Sequence, residues 1–175
     1  KKMFSYNYLN TKIGFGGYKF TDKKEVKGVF DKFKVSGAKE GNTGKEVFEN
    51  ASVAIPTSSV NSGNEDRDWK LDNIFFGAME ATDSIYASVK NIDEANGSIT
   101  FAFKLNNFEK DLNLAYEQVG DTVRATGVID LLSFEAKAAV DSIHQACYQL
   151  HTGADGVSKT WPEAMIYIQN VLRRN

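Results

Sequence analysis

From Ile99 to Leu105 apolar and polar residues alternate without a fault, as Ile99-Thr-Phe101-Ala-Phe103-Lys-Leu105. A period of two places every apolar side chain on one face of a strand, so this segment has an inside and an outside. Ile85, Ala87 and Val89 alternate in the same way just upstream, and Asn96-Gly97 between the two runs is a tight-turn pair, which predicts a hairpin. Leu112, Leu114 and Tyr116, the turn Gly120-Asp121, and Val123, Ala125, Gly127 and Ile129 predict a second. Earlier strand-like runs are Phe4 to Phe20, with Gly16-Gly17 as an expected corner or bulge, Val26 to Val35, and Ala51, Val53 and Ile55 ending at Pro56. That makes about seven strands in sequence order, the pattern of an antiparallel meander or barrel.

Two helices interrupt the pattern. Asn64 followed by Glu65, Asp66 and Asp68 is a helix start, with a capping side chain and acids at the positive end of the dipole. Leu71, Ile74 and Phe75 then give this short helix, near 65–76, one apolar face to press on a sheet. From Leu131 the period changes, and Ala139, Val140, Ile143, Cys147 and Leu150 mark one side of a longer helix near 138–151 that stops at Thr152-Gly153. After Trp161-Pro162, residues 164–172 are apolar on both faces, as in a closing strand with the interior on one side and a helix over the other. The 175 residues suit one domain, 1–175, with 42% hydrophobic residues to build a core and 12 phenylalanines to wall it.

The charges nearly cancel, 21 Lys and Arg against 23 Asp and Glu, so nothing draws the chain to nucleic acid. No run of about 18 apolar residues predicts a membrane-crossing helix. One cysteine, Cys147, excludes an intrachain disulfide. The chain opens at Lys1 and Lys2 without an initiating methionine, which makes a removed secretory leader a candidate.

Chemistry-bearing patterns are sparse. His144, Cys147 and His151, at offsets of three and seven, fall within roughly 60° on a helix, but no fourth ligand is apparent and Cys147 belongs to the apolar face, so no metal is expected. Arg67 among Glu65, Asp66 and Asp68 lacks the glycine and closing glutamate of a calcium loop; an ion-pair network locking the helix to the barrel rim is the expectation. There is no Gly-x-Ser-x-Gly elbow and no phosphate-binding glycine loop before a helix, and no enzymatic activity is expected. The aromatic and branched side chains converge inside a closed sheet of about eight strands, a size whose interior either packs solid or holds one slender ligand.

Thr11-Lys-Ile13-Gly-Phe15, Val26-Lys-Gly28-Val-Phe30-Asp31-Lys-Phe33 and above all Ser62-Gly63-Asn64-Glu65-Asp66-Arg67-Asp68-Trp-Lys-Leu71 with Phe75-Phe76 resemble the YceI-like, lipocalin-like and polyisoprenoid-binding family, in order and spacing from about Asn10 to Phe134. The resemblance implies an all-β fold with helical additions, an extended antiparallel barrel around an apolar tunnel. It implies a non-enzymatic protein that binds, stores or transports an isoprenoid or similar long-chain lipid, located in the periplasm or secreted. The alternative is a structural or interaction module, its barrel packed solid and the helix 138–151 docking a partner.

On this reading Ile13, Phe15, Phe30, Phe33, Val53, Ile55, Ile74, Phe75, Phe101, Phe103, Leu105, Phe134, Ile166 and Ile168 contact the ligand. No cofactor is expected beyond a co-purifying isoprenoid or fatty lipid. The expected partner is that apolar lipid, with pairing of two chains left open. The chain departs from the family's usual pattern where Asn10, Phe20 and Lys70 stand in or near histidine positions, and where Met79-Glu-Ala-Thr82 replaces a Tyr-Pro.

Overall fold

In the computed structural model, which describes residues 3–175, the alternating runs pair as their phase requires. Lys1 and Lys2, on which the expectation of a removed leader rests, lie outside the described residues. The strands are β1 (Phe4–Ser5), β2 (Thr11–Lys19), β3 (Lys24–Phe30), β4 (Lys34–Ser36), β5 (Ser52–Pro56), β6 (Val60–Asn61), β7 (Ser84–Asp93), β8 (Ser98–Leu105), β9 (Phe108–Val119), β10 (Thr122–Asp130), β11 (Thr160–Val171) and β12 (Arg173–Arg174). The α-helices are α1 (Gly44–Phe48), α2 (Glu65–Lys70) and α3 (Lys137–Ala146). Both predicted hairpins form, β7–β8 with Gly97 at φ 64° and β9–β10 with Gly120 at φ 62°, a left-handed backbone that glycine adopts without strain.

The sheet runs β4-β5-β7-β8-β9-β10-β11-β2-β3-β6, antiparallel throughout. Its two ends meet. β3 continues through residues 31–33 into β4, β5 continues through 57–59 into β6, and these two bent strands pair with each other on both sides of the corner. Hydrogen bonds span the corner itself, from Asp31 N to the Ser59 carbonyl (2.9 Å) and from the Ser59 hydroxyl to the Lys32 carbonyl (3.1 Å). Counting each bent strand once, eight strands close an up-and-down barrel.

Inward residues follow directly from the register: Ile13, Phe15 and Gly17 on β2 pair beside Ile168, Ile166 and Ala164 on β11, and Ile99, Phe101, Phe103 and Leu105 face in from β8. Three expectations about elements change. Gly16 and Gly17 do not break β2; the bulge lies across from them in β11, between Thr160 and Ala164, and a Cβ on Gly16 would strike the Glu25 carboxylate. α3 stops at Ala146 rather than near 151, because the Tyr148 carbonyl is taken by the hydroxyls of Thr152 (2.7 Å) and Ser158 (2.8 Å) instead of by a further helical turn. Finally, no helix covers the outer face of β11. Tyr167 there donates to Glu25 (2.5 Å) and lies under the Lys27 ammonium, while Gln169 accepts from Arg124 (2.9 Å).

Phe15 lies over its cross-strand partner Gly28, where a Cβ would stand 2.5 Å from the ring. Gly28→Ala is therefore expected to destabilise the protein by about 1–3 kcal/mol through overpacking. In a Phe15→Leu background the same change is expected to cost less. Urea unfolding of the four chains measures both; an equal cost in both backgrounds would place the clash at the Asn61 carbonyl, 3.1 Å from that Cβ.

Candidate functional site

The barrel is not filled by its own side chains. Three cavities of about 90, 120 and 230 Å³ follow one another inside it. Close-packed interiors have few voids larger than a water molecule, so these are unusual. β2 runs past all three: Thr11 and Ile13 line the first, Ile13 and Phe15 the second, and Phe15, Gly17 and Lys19 the third. At about 3.4 Å per residue that stretch of strand measures about 27 Å. Ile13 is shared by the first two cavities, and Phe15, Leu71, Phe75, Leu131 and Ala164 are shared by the second and third. The partitions between cavities are single side chains, not backbone.

Small inward residues create the space. Ala51, Ala87 and Ala125 line the first cavity, Ala164 the second and third, and Gly17 the third, while rings occupy only part of the section elsewhere. Phe15 meets Phe30 at 5.4 Å between centroids, and Phe75 meets Phe76 at 5.0 Å. The middle cavity is lined by Phe30, Ile55, Ile85, Phe103, Leu105, Ile129 and Ile166 among others and offers an apolar wall throughout.

The floor, at the first cavity, is polar in places. Asn170, 3% exposed, donates to the carbonyls of Asn7 (2.7 Å) and Asn10 (3.2 Å) and to the Thr11 hydroxyl (2.6 Å). The hydroxyls of Tyr6 and Tyr116 are buried there with no hydrogen-bond partner, and burial, followed by the Glu94 charge, pushes the Tyr116 hydroxyl up to about 12. α1 covers this end. Val47 within it is 0% exposed, Thr43 caps it by accepting from Glu46 N (3.2 Å), and Gly44 approaches so closely that a Cβ would stand 2.7 Å from the Tyr116 hydroxyl.

The third cavity is the mouth, between β2, β11, α2 and α3. Asn64 caps α2 as the sequence predicts, accepting from Arg67 N (3.0 Å). Arg67 itself does not pair with its acidic neighbours: Nε donates to the Ser62 hydroxyl (2.8 Å) and Nη2 to the Ser62 carbonyl (2.9 Å), and that hydroxyl in turn donates to Asp68 (2.6 Å). The expected ion-pair network is thus a serine-centred hydrogen-bond network, because Ser62 lies under the guanidinium while Asp66 reaches Lys70 at 3.0 Å.

His144, Cys147 and His151 do come together at the mouth, but both imidazoles turn to Thr160, with Nδ1 to hydroxyl distances of 2.9 and 2.5 Å. A hydroxyl has one proton to give, so at least one of the two rings must carry its own proton on Nδ1. Burial, then the Lys19, His144, Lys70 and Arg67 charges, depress His151 to about 4, which keeps that ring neutral. Burial raises the Cys147 thiol, making it a protonated wall group rather than a nucleophile.

Of the fourteen residues expected at the ligand, Ile13, Phe15, Phe30, Val53, Ile55, Phe75, Phe101, Phe103, Leu105, Ile166 and Ile168 line one or two cavities. Phe33, Ile74 and Phe134 do not. Phe33 sits in the corner where β3 bends into β4 and its ring packs on Tyr8 at 5.2 Å. Leu71–Phe75 is a π-helix; its wider turn keeps Leu71 and Phe75 on the cavity side and rotates Ile74 away. Phe134, 2% exposed, stands edge-on to Phe103 at 5.6 Å as core. Sequence reasoning missed Tyr6, Lys19, Tyr116, Thr160 and Trp161. Tyr116 and Lys19 were legible, since each continues the inward phase of its strand, Leu112-Leu114-Tyr116 and Ile13-Phe15-Gly17-Lys19.

A family model described as a YceI-like domain matches residues 5–158, and the chain belongs to that family. BcnA of Burkholderia cenocepacia superposes with a TM-score of 0.65 at 13% identity, covering 96% of this chain and 99% of that one. A polyisoprenoid binding domain from Saccharophagus degradans, implicated in plant cell wall breakdown, gives 0.63 at 12%, covering 99% and 98%. A Campylobacter jejuni YCEI protein gives 0.55 at 18%, covering 87% and 86%. These identities speak for a common fold. No curated protein matches the sequence.

The depressed pKa of His151 gives stability a sign. Between about 4 and 6.5 the unfolded chain binds a proton on this ring that the folded chain does not, so stability falls as pH falls through that window. His151→Asn, which keeps a polar atom near Thr160 without a titrating ring, is expected to flatten this part of the pH profile. Thermal unfolding of both proteins from pH 7 to pH 4 measures it; parallel curves would refute the assignment.

Proposed function

We propose that this YceI-like chain is a non-enzymatic carrier or store of one long apolar molecule, an isoprenoid or similar single-chain lipid, threaded from the mouth toward the floor of the barrel. The observation that carries this reading is the file of three cavities whose partitions are side chains alone. An empty void costs stability in proportion to its volume, at about 24 cal/mol per Å³, so the 120 Å³ middle cavity alone corresponds to about 3 kcal/mol that hydrocarbon would recover. An apolar cavity of about 150 Å³ already suffices to bind benzene. Each methylene moved from water contributes about 0.8 kcal/mol; ten give about 8 kcal/mol gross, and ordering a flexible chain takes back several. Micromolar affinity follows without a strong polar contact.

Two further observations support it. The chain belongs to a family of binding-type fold, and one structural neighbour is a polyisoprenoid binding domain. The alternative of a solid barrel with a free docking helix loses its footing, because Val140, Ile143 and Cys147 of the α3 region face the mouth instead of offering an apolar surface outside. A periplasmic or secreted location, expected of the family, is part of the same proposal.

Ala164 stands at the partition between mouth and middle cavity, where a larger side chain closes the passage. Native mass spectrometry of the full chain is expected to show co-purifying or added geranylgeraniol bound one to one, with a rise in melting temperature. Ala164→Phe is expected to fold with equal or higher stability and to lose at least tenfold in affinity. A wild-type chain that takes up no prenyl or acyl lipid, or an Ala164→Phe chain that binds undiminished, would overturn the proposal.

A further inference from the structure

The mouth carries more positive charge than the acids around it neutralise. Its lining includes Lys19, Arg67 and Lys70 on one side of the balance and Asp66 and Glu163 on the other. Both acids are already engaged: Asp66 with Lys70 at 3.0 Å, and Glu163 with Lys23, which lies outside the lining. Lys19 and Arg67 make no salt bridge among the described residues. Arg67 commits Nε and one Nη2 proton to Ser62, and its nearest link to a carboxylate runs through that hydroxyl to Asp68. Lys19 rests its ammonium on the Phe20 ring at 4.8 Å.

These cations are also partly withdrawn from water. The Lys70 side chain is only 19% exposed, and Arg67 and Lys19 are half-buried. Screening by solvent is therefore weaker than at an open surface. All three charges act on the same neighbour, since Lys19, Lys70 and Arg67 each hold the His151 proton affinity down beyond what burial does. Just behind them the cavity wall turns apolar, with Val140, Ile143, Leu71 and Phe75. A cationic collar set on a greasy shaft is complementary to one kind of molecule.

Resting on the carrier reading, we infer that the mouth selects an anionic head group, a carboxylate or a phosphate monoester on a single apolar chain, held by Lys19, Arg67 and Lys70 above the shaft. A charge-assisted hydrogen bond from guanidinium or ammonium to such an oxyanion is about twice as strong as a neutral one. A neutral alcohol of the same chain forgoes that gain and binds through its hydrocarbon alone. Lys70 then exchanges part of its contact with the exposed Asp66 for the ligand.

The test holds the chain constant and varies the head. Geranylgeraniol, geranylgeranoic acid and geranylgeranyl phosphate are titrated into the full-length protein in 50 mM salt, and into Lys19→Gln/Lys70→Gln, which leaves the Arg67 brace on Ser62 in place. At least one anion is expected to bind ten times more tightly than the alcohol, and which one does so identifies the head group. In the double variant that advantage is expected to fall toward parity while alcohol affinity changes less than threefold. Equal affinities of all three lipids for the wild type would overturn the selection and leave the carrier standing. Retention of the tenfold advantage by the variant would also overturn it. Failure of all three to bind would remove the carrier reading and this inference together.

Discussion

Closure of an antiparallel sheet at eight strands sets the bore of this molecule before any side chain is chosen. What the inward residues then decide is how much of that bore is occupied. Where they are rings, as with Phe15 over Gly28 and Phe103 against Phe134, the section is full; where they are Ala51, Ala87, Ala125 or Ala164, it is hollow. The cavities are thus a property of residue size at phased positions on a rigid frame. Removing side-chain volume from a packed core normally invites partial collapse. Here the hydrogen-bonded ring of strands resists it.

The interior and the mouth divide the work by physical chemistry. Hydrocarbon burial is non-directional and scales with area, so the apolar shaft supplies affinity with little discrimination. The mouth supplies directional and charged groups: Lys19, Arg67, Lys70, and the neutral His151 tied to His144 through Thr160. The brace of Arg67 on Ser62 and Asp68 holds α2 against the rim, and α2 runs on into the π-helix that presents Leu71 and Phe75 to the shaft.

How far the sequence could be read depended on whether a local signal was enough. Alternation and turn residues are local, so both hairpins, the β5 strand and the Asn64 cap were legible, and with them most of the inward residues. Ile74 was misplaced because hydrophobic periodicity assumes 3.6 residues per turn, and a π-turn of the backbone leaves no trace in residue type. Phe33 was misplaced because barrel closure bends β3 into β4 at that residue, a constraint set by β5 and β6 far along the chain. The end of α3 is decided by Ser158, ten residues beyond Tyr148. The mouth was the hardest to see, since Lys19, Lys70 and Trp161 belong to three separate elements and become neighbours only when the fold is complete.

The sealing of one end by α1, with Val47 wholly enclosed and Gly44 pressed on Tyr116, makes the barrel a blind bore. A guest has a single doorway, so it must depart by reversing the path it took inward, and no hand-over from one end to the other is open to it. Entry and departure are then governed by the same few groups between α2 and α3. A guest longer than the bore leaves its surplus outside, on view to whatever next receives it.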